Sequence, residues 1–432
     1  MPSARTSQLT RSANRLRQGY GGPPQLYAEP EAFTLQTPAA RRSATSSGGR
    51  SRQLTVMACL ILPWIAGSAS AQPPGIARAE WTYGAFLDAA YLVDSNDPPN
   101  HLFRNRGTTP RVNELDVNMA AAWLKKVSDE SSRLGLEVTV QTGEDAKNFG
   151  FSATAPTVGG ADVLLHLGPT NLSYLAPVGK GLTLQGGIFN SLIGYDALYV
   201  KDNFAYTRPW GADYTPYFML GVNASYPISP RVTATAAVVN GYWHLAHAND
   251  APSVAGQLAY RPTEHITAKQ TVLVGPHQSN TSLRFWRTLS DGILEYRRDR
   301  VVTALEYQLG KEVVDAAGTP RALWMSAQLP IHWIFQAGWS ATLRPEFCWD
   351  RNGRWIGGEQ SVKAITTTLE YRLTHDASDA ILRVEYRVDD SSGGGGGFFT
   401  RGQLPSRSVP LAPTQMLFGI AVVLAVASPF GR

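Results

Sequence analysis

The 432-residue chain carries a formal net charge of +5 and two cysteines. Eight Arg and two Glu precede Val56 and nothing charged lies between Val56 and Ala71, so the balance beyond Ala71 is −1, with both signs interspersed; that excludes the basic stripe a nucleic-acid face needs. Cys59 lies in an apolar run that reads as part of a leader, which leaves Cys348 alone and excludes an intramolecular disulfide downstream.

Residues 1–53 are rich in Arg, Ser, Pro and Gly without sustained periodicity, and read as a disordered leader or as a region added by a start placed too early. Residues 54–71 read as a signal peptide: Arg50 and Arg52 precede an apolar stretch from Leu54 to Gly67, and Ala69-Ser70-Ala71 supplies small residues for cleavage. That stretch contains Pro63 and is too short for a comfortable helical span. Residues 72–430 then form one unit, a barrel with a short N-terminal lead-in.

The pattern that decides the fold is apolar alternation with a period of two. In residues 301–309, Thr303, Leu305, Tyr307 and Leu309 share one face, while Val302, Ala304, Glu306 and Gln308 share the other. Leu382, Val384 and Tyr386 likewise oppose Arg383, Glu385 and Arg387, and Trp339 to Trp349 repeats the split. Seven short joints are expected at 125–133, 176–181, 227–231, 261–265, 297–300, 330–332 and 374–379. Eight longer connections are expected at 94–112, 143–169, 190–214, 242–252, 275–290, 310–320, 350–360 and 388–412. Alternating short and long connections, with both ends on the short-turn side, predict an all-β transmembrane antiparallel barrel of about 16 strands, with 14 and 18 as the alternatives. A soluble sandwich with one wet face is the competing architecture. Tyr226, Tyr260 and Tyr296 each stand just before a short joint, with Tyr174 and Tyr371 a few residues further off, as an aromatic girdle requires. Residues 413–425 are expected to close the barrel, although their apolar run also fits a helical tail anchor.

Several segments are similar to the putative β-barrel porin-2, or OmpL-like, family. Tyr174-Leu175-Ala176-Pro177-Val178-Gly179-Lys180-Gly181-Leu182 carries the resemblance first. Gly187 to Gly194, Lys201-Asp202-Asn203-Phe204-Ala205-Tyr206-Thr207-Arg208 and Val238-Val239-Asn240-Gly241-Tyr242-Trp243 follow in the same order, and the likeness runs from Trp81 to Phe430. It implies a diffusion channel of the bacterial outer membrane with no catalytic residues to carry over. The chain departs from the family in placing Gly431-Arg432 after the terminal aromatic and in the five glycines Gly393 to Gly397.

No enzymatic constellation stands out. The eight histidines are dispersed, Gly159-Gly160 lacks the Lys-Ser/Thr of a phosphate loop, and neither a cofactor nor a metal is expected. The expected function is passive diffusion of small hydrophilic solutes or ions, with a non-conducting structural barrel and a surface-binding adhesin as alternatives. By parity Glu306, Arg344, Glu346, Glu370, Arg372, Arg383, Glu385 and Arg387 face the lumen. Asp196, Lys201, Asp202, Arg208 and Asp213 mark residues 190–214 as a loop expected to fold inward and narrow the channel, with Tyr199, Phe204, Tyr206 and Trp210 packing its apolar side. Expected partners are outer-membrane lipid, the permeating solutes, the outer-membrane assembly machinery and, in oligomers, further copies of the chain.

Overall fold

The computed structural model describes residues 81–148, 161–241, 251–276, 283, 285–314, 321–402 and 409–428. The leader, signal-peptide and lead-in expectations, most of the 242–252 connection and the terminal Phe430 lie outside these residues.

The first half of the chain supplies β1 (Trp81–Asp94), β2 (Leu115–Lys126), β3 (Leu134–Thr142), β4 (Thr170–Ala176), β5 (Leu182–Asn190), β6 (Phe218–Ser229), β7 (Val232–Val239) and β8 (Ser253–Thr263). The second half supplies β9 (Ile266–Pro276), β10 (Trp286–Arg298), β11 (Val301–Val313), β12 (Arg321–Gln328), β13 (Ile331–Gln336), β14 (Trp339–Asp350), β15 (Gln360–His375) and β16 (Ser378–Ser392). Two short strands, β17 (Phe398–Phe399) and β18 (Leu411–Ala412), make a separate ribbon in the last long connection, before β19 (Thr414–Ala427). The main sheet closes where β19 pairs with β1, from Gly84 opposite Ala427 to Asp94 opposite Leu417. Because β12 and β13 both lie between β11 and β14, they are two halves of one stave, and the closed antiparallel barrel has 16 strands.

Alternation translates directly into an apolar outside and a polar or tightly filled inside. Leu305, Leu382 and Tyr386 are exposed on the outer wall, while Glu306, Arg383 and Arg387 are buried within. Tyr174, Tyr260 and Tyr296 are exposed near the short-turn rim, and Tyr371 packs against Trp339 with ring centroids 4.7 Å apart. The closing strand is apolar on both faces: Phe418, Ile420 and Val422 point outward, while Leu417, Ala421 and Val423 are buried. Its inward side meets β1, where Leu92 packs onto the bare backbone of Gly419. No helix among the described residues is long and apolar enough to cross a membrane, and the apolar run at 414–427 is a strand.

One expected joint is misplaced. Residues 330–332 are not a turn; Leu329 and Pro330 only interrupt a stave, and the chain reverses seven residues later at Ala337-Gly338. Pro330 has no N–H to give a ladder, which breaks regular pairing without reversing direction. The real turn places Gly338 at φ 76, whereas the neighbouring two-residue turns use Asp299 and Asp376, both at φ 49. These are residues that tolerate the left-handed region a tight hairpin demands.

Candidate functional site

The loop between β5 and β6, residues 191–217, enters the barrel and crosses its lumen. Its backbone is tied to inner-face side chains on well-separated staves. Near its start, the Gly194 N–H donates to Asp291 at 3.2 Å and the Tyr195 N–H to Glu306 at 3.1 Å. The Leu192 carbonyl accepts from Gln257 at 2.6 Å and Thr271 at 2.9 Å. Further along, Glu385 accepts from the Tyr206 and Thr207 N–H groups at 2.6 and 2.9 Å, and Glu346 from the Trp210 N–H at 2.5 Å. Arg383 donates to the Val200 and Asn203 carbonyls at 2.9 and 2.6 Å. A loop has unpaired backbone groups, and here charged wall residues satisfy them.

On the loop side of this crossing the lumen is filled. Trp210 meets Phe103 edge-on at 5.8 Å and Phe398 at 6.0 Å, and its indole N–H donates to Asp389 at 2.8 Å. Thus the first long connection, residues 95–114, and the last, 393–413, converge on the same side chain. Arg106, fully buried, lies 4.8 Å over the Trp210 ring and pairs with Asp213 at 2.9 Å. Arg208, also fully buried, pairs with Asp145 at 3.2 Å and donates to the Leu198 carbonyl. Tyr206 donates to Asp88 at 2.8 Å. Thr109 adopts φ 46, an unfavourable value for a β-branched residue, while its N–H donates to Asp145 at 2.7 Å.

Asp145 and Asp213 therefore pair with Arg208 and Arg106, while Asp88 lies within reach of Arg208 and Arg383. Burial pushes Asp145 up to about 8, opposed by Arg208 and reinforced by Asp88. Burial alone would weaken the Arg208 charge, but Asp145 and Tyr217 hold its pKa above the usual arginine value. The Tyr206 hydroxyl is held well above its ordinary range by burial and by Asp88.

The five loop charges do not form a single eyelet. Arg208 and Asp213 belong to the dry cluster, while Asp196 accepts from Gln328 at 2.6 Å on the opposite wall. Lys201 and Asp202 pair with each other at 2.7 Å on the water-facing underside, with the Lys201 ammonium 5.1 Å over the Trp123 ring. Of the eight wall charges, seven are buried and Arg372 is half-exposed. Six of them are in ion pairs: Arg387 with Glu346 at 2.9 Å and also with Asp389 at 2.8 Å, Arg383 with Glu370 at 2.7 Å, Arg372 with Glu370 at 3.2 Å, and Arg344 with Glu346 at 3.6 Å. Glu306 accepts from Gln328 at 2.6 Å as well as from the loop.

Sequence reasoning missed Asp88, Arg106, Asp145 and Asp291. Parity applied to β1 and β10 marks Asp88 and Asp291 as inward, since Asp88 shares the buried face of Phe86 and Ala90 and alternates with the exposed Leu87 and Tyr91. Arg106 and Asp145 lie in connections, where no period reports orientation.

A family model described as putative beta-barrel porin-2, OmpL-like, matches residues 80–426. Among solved structures, an OmpF complex with daunomycin from Salmonella typhi aligns at a TM-score of 0.51 with 12% identity, covering 81% of this chain and 97% of the other. An anion-selective porin from Comamonas acidovorans aligns at 0.51 with 11% identity, covering 81% and 99%. At these identities the likeness shows the fold alone. No curated protein matches the chain.

Proposed function

The chain belongs to the putative beta-barrel porin-2, OmpL-like family and is a multi-pass β-barrel of the bacterial outer membrane, porin-like in general function, and from that premise we propose that it passes small hydrophilic solutes or ions by passive diffusion past a fixed inward loop. The observation that carries this reading is the anchoring of residues 191–217 to opposite walls through Asp291, Glu306, Glu346, Arg383 and Glu385. A loop held by charge-assisted bonds at both ends narrows the lumen without sealing the wall itself. Permeants then cross a short, hydrated, charge-lined path, which weights passage by size and charge and needs no catalytic group. Further partners under this reading are the assembly machinery that inserts the barrel and, in an oligomer, its own copies.

A second reading is supported by the dry packing around Trp210 and Arg106, which favours a plugged barrel with a structural role. Planar-bilayer recording of the folded protein separates the two. Reproducible conductance steps in the wild type, enlarged on deletion of residues 201–213, are expected for the restricted pore. Steps in the deletion variant alone would establish the plug instead, and equal conductance in both would place the loop outside the permeation path.

A further inference from the structure

Beneath the inward loop, on the short-turn side, lies a polar cavity of about 280 Å³. Its volume is just below the range of about 300–1,000 Å³ that takes drug-sized ligands, so its natural occupant is smaller. The loop forms its roof with Tyr195, Asp196, Asp202 and Phe204, and β9, β10 and β14 form its wall with Lys269, Glu295, Arg297 and Arg344.

Both signs of charge are present, and their partners decide which sign is unspent. Asp202 is held by Lys201 at 2.7 Å, and Asp196 accepts from Gln328 at 2.6 Å. Glu295 accepts from the Tyr195 hydroxyl at 2.8 Å and pairs with Arg297 at 3.3 Å, which also occupies that guanidinium. Lys269 is different: its inward-facing, exposed ammonium makes no ion pair and no side-chain hydrogen bond among the described residues, and the Asp291 carboxylate, also bonded to the loop through the Gly194 N–H, acts on it only from a distance. Arg344 is 1% exposed, yet its Nε has no acceptor. Its carboxylate neighbour Glu346 is 3.6 Å away and is already engaged by Arg387 at 2.9 Å and the Trp210 N–H at 2.5 Å. The Arg344 Nη2 donates to the Thr366 hydroxyl at 3.3 Å, so Arg344 adds positive charge to the wall from behind its surface.

The cavity also has an apolar side. Phe204, stacked on His332 with centroids 4.2 Å apart, stands with Ile293 and Pro330 in the lining. A lining that combines charged with apolar side chains suits a carboxylate carried on a short carbon chain better than an inorganic anion.

We propose that this cavity is a binding subsite for small organic carboxylates on the permeation path, with Lys269 as its anion-holding residue and the buried Arg344 adding positive charge from the wall behind. The subsite rests on the porin reading, since diffusion through the lumen is what delivers the solute.

Saturation-transfer NMR on the folded barrel in detergent tests it with succinate as probe and butane-1,4-diol as the uncharged analogue of equal chain length. Saturable binding of succinate and none of the diol is expected. Lys269→Gln, a change at an exposed position, should weaken succinate binding about tenfold, the worth of one charge-assisted contact. Lys269→Arg should restore most of it, and Lys180→Gln in a short turn should leave it unchanged. Absence of succinate binding, equal binding of the diol, or equal affinity in wild type and Lys269→Gln would each overturn the subsite. Bilayer conductance recorded on the same preparations keeps the two readings apart: conductance without succinate binding sinks the subsite alone, whereas binding without conductance retains the subsite and sinks transport.

Discussion

The two sides of the inward loop differ in how they use charge. On the loop side, Arg106, Arg208 and Arg387 are fully buried among Trp210, Phe103 and carboxylates, so each cation is spent on structure. On the short-turn side, Lys269 is exposed and Lys201 pairs only with its sequence neighbour Asp202. The lesson is that lumen charge in a barrel is not uniformly available to permeants. Where extracellular connections pack inward, the charges become a scaffold, since a buried ion tolerates desolvation only when paired; where water remains, they are free to act on solutes.

The largest expected break in this contrast comes from Trp210→Ala. It removes the ring on which two long connections and Arg106 converge, at a cost of about 3–5 kcal/mol for a buried aromatic. Hydrogen exchange across residues 191–217 should lose protection, and single-channel conductance should rise. Retained protection would mean that the wall contacts of Glu346, Glu385 and Arg383 suffice to hold the loop.

A pH titration sharpens the same comparison at intermediate magnitude. Asp145 is pushed up to about 8 in the fold, against an unfolded value near 4. The folded state therefore binds the extra proton between those values. Stability from this group declines as pH rises from about 4 to 8 and levels off above that. Loop protection, taken relative to the intrinsic exchange rate at each pH, should fall from pH 5 to pH 9, and Asp145→Asn, neutral throughout, should flatten that dependence. A profile unaffected by the substitution would remove Asp145 as its source.

The smallest effect is expected on the wet side. Lys201→Gln breaks a partly exposed pair with Asp202 and a contact over Trp123, so thermal stability in detergent should change by no more than about 0.5 kcal/mol. A loss comparable to that of Trp210→Ala would show that the underside of the loop is as structural as its top.

Much of this molecule was legible before its coordinates. Alternation such as Leu305 against Glu306, or Tyr386 against Arg387, is a local property of extended chain, and short turns between such segments count the staves. Pro330 misled because proline marks both turns and strand interruptions; only pairing of β11 and β14 across the break distinguishes them. Alternation separates two faces of a strand but says nothing of the state of the charges on either. Glu385 looks the same in sequence whether it meets water or the N–H groups of Tyr206 and Thr207, 178 residues or more away.

By itself the sequence determined the barrel, a count of about 16 strands with 14 and 18 left open, and the two faces of each strand, because a period of two is written residue by residue and burial in lipid enforces it. Only the tertiary structure decided that residues 95–114, 191–217 and 393–413 meet at Trp210, and that Lys269 stands exposed in the lumen without an ion pair among the described residues. Those outcomes depend on which distant staves become neighbours across a closed lumen, and no local period encodes that distance.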